Sequence, residues 1–456
     1  MSLRLLVQRL SLGPQTLDIT SGRLRDNIWQ LSWPLVISQG LFFFPSLYDA
    51  YWLGRLGSDA LAAASLAMSL RFTMISVLMA LSAASGAVIA RYVGARAGEE
   101  ANQAATQAII LFVLSAGALG IVGLLFAEPL VALAGAKGSL LAPTAAYARV
   151  IFAGLIAMEM VPSMGGMLSA SGSPRLSLQM NLLTVFSFLI LEPLLISLGW
   201  DVTGAALAIV LANTFGMIYG LYLLASGRAA VSIGLRYARP DWPMIRRILR
   251  IALPAVLQRG MPNLANTILM RLMAAYGAAP LATYSVFNRL ANLLLVPAMG
   301  LSGATPAMVG QNLGAGNPKR AARSVYLIAS AALLSAGLAL GWLALWSRPA
   351  FALFTSDREA IAIGVRAMGI FAFWRLLMTL AMVADAALTG AGDTISPMVI
   401  NIVVLWLIQL PAVWLLSNYL GWGADGIWWG LVIGSGMQAL MLVARFRQGK
   451  WQLVRI

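Results

Sequence analysis

The sequence predicts an all-α integral membrane protein with twelve transmembrane helices in two six-helix lobes, related by a pseudo-twofold axis along the membrane normal. Three observations predict it. Apolar runs recur at bilayer-spanning length, basic residues gather on alternate connections, and the second half repeats the first at a fixed offset.

Of 456 residues, 60% are hydrophobic and 10% charged, whereas soluble domains carry roughly 25% charged residues. Such a chain cannot cover its own surface with polar groups, so hydrocarbon is the solvent for much of it. A spanning helix needs about 20 mostly apolar residues. Twelve segments meet that length: 28–53, 59–89, 101–127, 142–171, 178–198, 203–226, 247–275, 280–310, 320–346, 359–390, 396–417 and 424–446. Short connections with breakers separate them, as at Gly54-Arg55-Leu56-Gly57 and Ser171-Gly172-Ser173-Pro174. The longest, 227–246, contains Arg239-Pro240-Asp241-Trp242-Pro243 and reads as a cytosolic linker. The expected organisation is a tail over 1–26, a first lobe over 27–226, this linker, a second lobe over 247–446 and a tail over 447–456.

Charge sets the orientation. With the amino terminus in the cytosol, 20 of the 31 Lys and Arg fall on the cytosolic side and five within helices. Six fall outside: Arg55, Lys137, Arg149, Arg348, Arg358 and Arg366. This asymmetry satisfies the positive-inside rule and puts both termini in the cytosol. The stretch 1–26 holds Arg4, Arg9, Arg23 and Arg25 but no long apolar core or cleavage site, so it reads as a tail rather than a leader. The net charge of +15 lies between apolar runs, not along one basic face, which makes the bilayer the partner and argues against nucleic acid.

The repeat follows. Trp33-Pro34-Leu35 matches Leu253-Pro254-Ala255, Leu61-Ala62 matches Leu281-Ala282, and Gly94-Ala95 matches Gly314-Ala315, all at one common offset. The run 168–172 matches 388–392 at the same offset, and Gly199-Trp200 matches Gly421-Trp422 at nearly the same one. Each half holds an even number of helices, so both insert with one orientation and face each other across a cleft. Rocking such lobes exposes the cleft to each side in turn, which puts transport of a small molecule ahead of catalysis.

There is no Cys and no His. Disulfides and thiolate catalysis are excluded, and proton handling falls to carboxylates or tyrosine. No Walker A run or metal-ligand cluster is present, so neither ATP nor a cofactor is expected. Ionisable groups within the spans are functional candidates: Asp49, Glu159, Glu192 and Asp385, with Arg71, Arg259, Arg271, Arg289 and Arg375. Asp49 and Glu192 lie in outward-running helices at depths that differ by roughly 10 Å at about 1.5 Å rise per residue. Pro45 stands one turn before Asp49, and Pro193 follows Glu192. Together with Pro34 these prolines mark bends, and the acid pair reads as a cation or proton site. Glu159 is expected to pair with a buried arginine such as Arg71. Asp385 is expected to be a solvated or salt-bridged helix end. The second lobe's arginines read first as braces on carbonyls, second as a dock for anions. Phe42 and Met68 are candidate cavity residues, as are Phe188, Arg259, Arg289 and Arg375. Trp422 and Trp428-Trp429 read as interfacial anchors.

Pro34, Asp49, the run 54–57 and Ala60-Leu61-Ala62-Ala63 resemble the first-helix signature of multidrug and toxic compound extrusion (MATE) transporters. So do the run 199–206, Val309-Gly310-Gln311-Asn312-Leu313-Gly314-Ala315-Gly316 and the run 388–397. The resemblance spans about 27–446. It implies a MATE-type V-shaped fold in a bacterial inner membrane, acting as a monomer that exports cationic amphiphiles against protons or sodium. Asp49 falls on the family's coupling aspartate, Glu192 on a helix-5 acid, and Tyr147 on a nearby helix-4 tyrosine. Phe188 stands where asparagine is common. Sodium-coupled NorM-like members carry second-lobe acids at positions that fall on Met261 or Pro262 and on Met378. The resemblance is therefore nearer to DinF-like members, and protons rather than sodium are the expected coupling ion. The alternative is a flippase for a lipid-linked sugar or other anionic lipid, which the second-lobe arginines favour.

Overall fold

In the computed structural model, residues 17–454 are described; Arg4, Arg9 and Arg455 lie outside them. The described residues form twelve helical rods and no strand. The first lobe comprises α1 (Leu24–Leu56), α2 (Ser58–Met74 continued by Ser76–Gly94), α3 (Gly98–Leu125), α4 (Leu141–Ala153 and Leu155–Ala170), α5 (Pro174–Leu195) and α6 (Asp201–Ala225). The second comprises α7 (Trp242–Ala274), α8 (Ala278–Leu294, Val296–Gly303 and Thr305–Gly314), α9 (Pro318–Leu345), α10 (Arg358–Gly390), α11 (395–419) and α12 (Gly423–Arg447).

Among these residues, seven continuous stretches are long and apolar enough to cross a membrane, nine if each bent pair counts once. One of them, Pro174–Ala225, contains both α5 and α6, which fold back on each other past Gly199 (φ 85°) and Asp201 (φ 44°). The long helices outside that set are α1 and α7. Most helix ends lie within a few residues of the hydropathic segments, but α7 starts at Trp242 rather than 247. The reason is local: Asp241 caps it by accepting from Met244 N at 3.1 Å, and Pro243 suits the first turn, where no amide donor is needed. Asp357 caps α10 in the same way through Glu359 N and Ala360 N.

Each lobe has its own core. The first gathers Phe112, Tyr147, Phe152 and Met164; the second gathers Phe287, Phe371, Trp374 and Trp428. Trp428 corrects the expectation of an interfacial anchor. It is fully buried, stacked on Tyr284 and set edge-on to Phe371 at 5.0 Å. One residue on, about 100° around the helix, Trp429 is exposed, as is Trp422. The lobes also exchange helix starts. Ile28 and Leu31 of α1 join the second core, while Met244, Ile248 and Ile251 of α7 join the first.

The lobes meet at the end of the bundle that carries both chain termini. There α2 and α8 cross so closely that glycine is required. A Cβ on Gly94 would lie 2.0 Å from Gln311 O, and one on Gly314 2.1 Å from Arg91 O. Two straps cover this crossing. Leu17 N donates to Gly172 O in the first lobe, while Asn312 Nδ2 and Arg320 in the second donate to the carbonyls of Ile19, Ser21 and Gly22. Within this strap, hydrogen bonds from Thr20 and Ser21 hold the Asp18 carboxyl below its ordinary range. From the other terminus, Trp451 is fully buried against Phe446 (4.8 Å), and Val454 O accepts from Arg91 Nη2 at 3.1 Å. The far halves of α2 and α8, Ser58–Met74 and Ala278–Leu294, pack within their own lobes. The cleft therefore widens away from the termini.

Candidate functional site

The first-lobe site is built on α1, α4 and α5. The long helix α1 continues through Pro34 and Pro45 and packs along α5. Tyr48 fixes that packing. Its hydroxyl donates to Leu189 O at 3.0 Å, and its ring meets Phe188 edge-on at 6.2 Å. Phe188 is buried among Ala208 and Ala212 of α6. This packing closes the depth difference between Asp49 and Glu192, whose carboxyls come close enough to act on each other. Glu192 is fully buried and Asp49 half-buried. Asp49 Oδ1, both Glu192 oxygens and the buried Tyr147 hydroxyl find no hydrogen-bond partner among the described residues. Two carboxyls at this distance in a low dielectric cannot both hold a bare negative charge without a large cost. Their chemistry calls for a shared proton or a small cation.

Tyr147 lies in electrostatic range of Asp49, Glu192 and Arg71. Arg71 in turn forms an ion pair with Glu159, as the sequence led us to expect, with side chains 17% and 4% exposed. The pair bridges α2 and α4. Its guanidinium neutralises Glu159, which lies within α4 apart from the Asp49–Glu192 pair. The bend of α4 by 51° between Ala153 and Leu155 puts Tyr147 on one segment and Glu159 on the other.

The remaining candidates separate. Met68 packs against the first-lobe core and Phe42 is largely exposed. Arg375 is held by the side-chain oxygens of Asn288 and Asn292, both at 3.0 Å, and stands over the Trp374 and Phe287 rings. That is bracing on amide carbonyls. Arg289 is exposed. Arg259 lines a cavity of about 270 Å³ between the lobes with Phe72, Ser76, Met79, Gln258 and Asp385. Asp385 is thus a correction: it is no solvated helix end but a half-buried carboxylate accepting from Gln258 Nε2 at 2.6 Å. No local sequence signal marks this cluster, because its members come from α2, α7, α10 and α11.

The MatE family model matches residues 34–195 and again 254–415. The chain belongs to the MatE family. The two matched stretches are related by the same offset as the sequence repeat. MATE relatives extend over nearly the whole chain. The probable multidrug resistance protein NorM of Deinococcus radiodurans is 30% identical, covering 94% of this chain and 96% of the relative. The probable multidrug resistance protein YpnP of Bacillus subtilis is 24% identical over 96% and 98%. The FAD transporter of Shewanella oneidensis is 28% identical over 80% and 82%. Among solved structures, a MATE crystal structure in the bent conformation superposes with TM-score 0.88 at 25% identity, covering 95% of this chain and 97% of that one. An outward-facing MATE multidrug resistance transporter gives TM-score 0.89 at 24% identity, covering 96% and 99%, and so shows the shared fold. The chain is therefore a multi-pass membrane protein of MATE architecture.

Proposed function

We propose that this MATE protein is a secondary active multidrug efflux antiporter of a bacterial inner membrane, exporting amphiphilic cations in exchange for protons by alternating access. The observation that carries the reading is the Asp49–Glu192 pair: two carboxyls that act on each other, with oxygens that no described residue satisfies, in electrostatic range of the Tyr147 hydroxyl. A proton arriving there neutralises the pair and changes how α1 sits on α5. Relatives named as multidrug resistance proteins support the efflux role.

Protons fit better than sodium. The site offers two neighbouring carboxyls, whereas a hard cation such as sodium needs about six oxygens around it. The apolar Met261, Pro262 and Met378 leave the second lobe without acids at the NorM-like positions, which supports the DinF-like reading. With both termini in the cytosol, as the basic residues argue, the Gly94–Gly314 crossing closes the inner face and the cleft opens outward. The flippase alternative is weakened by Arg375, whose guanidinium is taken up by amides instead of being left open to an anion.

The test is transport in proteoliposomes. An imposed proton gradient drives dye efflux through the wild-type protein, while a sodium gradient of equal size does not. Efflux driven by sodium alone overturns proton coupling.

A further inference from the structure

At the end of the bundle that carries both termini, we infer a binding site for an anionic glycerophospholipid, its phosphate held where α9, α12 and the C-terminal turn meet. The site concerns a component of the membrane, not the exported molecule, and stands apart from the cleft between the lobes.

Its geometry starts from the way the chain leaves α12. Gly449 has a φ of 70° and turns the chain back on the helix end. Trp451 fixes that turn. It is fully buried, stacks on Phe446 at 4.8 Å and donates Nε1 to Phe446 O at 2.7 Å. Phe446 in turn meets the Tyr326 ring of α9 edge-on at 5.9 Å. Three rings thus join the tail, α12 and α9 at one level. Exposed cations surround the junction. Arg323 stands one turn before Tyr326 and Lys319 a turn earlier, Arg447 follows Phe446, and Lys450 lies in the turn that Trp451 pins.

These cations lack what their neighbours have. Arg320 donates to the carbonyls of Ser21 and Gly22, and Arg445 pairs with Asp393 at 2.8 Å. Lys319, Arg323, Arg447 and Lys450 pair with no carboxylate among the described residues. Like charges gathered at one place repel, and an anion between them relieves the repulsion. The same two helices turn apolar towards the middle of the membrane. On α9 the exposed face runs from Arg323 and Tyr326 through Ser330 to Leu334 and Leu338. On α12 it runs back from Arg447 through Leu440 and Met437 to Ile433. Such steps of three and four, alone or summed, keep to one helix face. Both helices pack on α10, and each turns its apolar face to lipid. A cationic cluster with hydrocarbon-facing stripes leading from it matches a ligand with one anionic head and long acyl chains. The half-exposed Tyr326 ring suits the interfacial layer where head and chain join. A free phosphate would meet the cations and leave the stripes unused.

The experiment uses the full chain in phosphatidylcholine nanodiscs. The chain has no cysteine, so Ser330→Cys carries a single fluorophore beside the proposed site. Its quenching is measured with phosphatidylglycerol and with phosphatidylcholine, each bearing a nitroxide high on one acyl chain. The expected result is stronger quenching by phosphatidylglycerol. Arg323→Gln lowers that preference about fivefold, the effect of one cation near an anionic headgroup, and Arg323→Gln, Arg447→Gln and Lys450→Gln together abolish it. All three positions are exposed, so their packing is not disturbed. The control triple Arg239→Gln, Arg246→Gln and Arg250→Gln removes the same charge from other exposed positions at that end and leaves the preference in place. Equal quenching by the two lipids overturns the site, as does a preference that survives the first triple. An equal loss in both triples assigns the effect to the diffuse field of the basic end and overturns it too. Excess inorganic phosphate leaves the preference unchanged; if it removes the preference, the cations hold a free anion and the lipid assignment falls.

Discussion

The two lobes share one chain trace but not one chemistry. The break in α2 at Ile75 recurs in α8 at Leu295, and Gly94 recurs as Gly314, both at the offset of the sequence repeat. At the same offset, however, the ionisable groups of the first-lobe site vanish. Asp49, Tyr147 and Glu192 correspond to Leu269, Ala367 and Ala412, and the Arg71–Glu159 pair to Ala291 and Thr379. Leu269 and Ala367 are buried apolar residues of the second core. The bend at Gly154 is also lost: its counterpart is Trp374, inside the unbroken α10. Conversely, Asp385 and Arg259 correspond to Gly165 and Gln39 in the first lobe. A duplicated scaffold keeps what its packing needs in both copies, namely breaks, glycine crossings and helix starts. Ionisable groups, which cost free energy in hydrocarbon, stand at these positions in one copy only. The difference suggests a division of labour, with the proposed ion site confined to the first lobe.

The largest expected effect tests that division directly. Asp49→Asn should abolish dye efflux driven by a pH gradient in proteoliposomes while the protein still purifies folded. Efflux at the wild-type level would remove the asymmetry from the mechanism. Next comes the charge pair. Glu159→Gln leaves Arg71 unpaired between α2 and α4 and should cost about 3–5 kcal/mol of stability, read as a lowered midpoint of thermal unfolding in detergent. Arg375→Met, which removes a cation held by neutral amides and aromatic rings and by no carboxylate, should cost clearly less. An equal loss from both would mean that the second-lobe arginine has a partner of similar weight.

Smaller in energy, but common to both lobes, is the glycine crossing. Gly94→Ala and Gly314→Ala should each pry apart the closed end, because the added carbon has only backbone in front of it. The chain has no cysteine, so single introduced thiols can carry spin labels across that end without background. Distances that lengthen in both variants support a shared hinge, whereas a change in only one breaks the symmetry. The smallest effect should come from Tyr48→Phe. It deletes the bond to Leu189 O, worth about 1 kcal/mol, and loosens α1 on α5. Its counterpart Ile268 offers no such bond, so the expected readout is a modest fall in efflux rate with little change in the melting midpoint.

How much of this was legible in advance depends on the range of the interaction. Helix α7 shows the limit at a boundary: hydropathy placed its start at 247, but the Asp241 cap and Pro243 extend it to Trp242. Trp428 shows it on a helix face. Two adjacent tryptophans look alike in sequence, and only packing on α10 sends one inward and the other out. Arg71 and Glu159 were matched from the sequence by the cost of an unpaired buried charge, which leaves few choices of partner. Asp385 could not be read, because Gln258 and Asn401 approach it from other helices.

Apolar content, charge placement and an internal repeat were enough to establish the solvent, the number and length of the rods, and the duplication. All three are properties of the chain summed over many residues, so no single contact has to be known. Which carboxyls become neighbours emerges only from the packing of helix on helix. Asp49 and Glu192 differ in depth along their own helices, and the seating of α1 on α5, pinned at Tyr48, brings them close enough to act on each other. The same holds for which end of the cleft is shut, because a backbone approach that admits no Cβ exists only where two helices from different lobes cross.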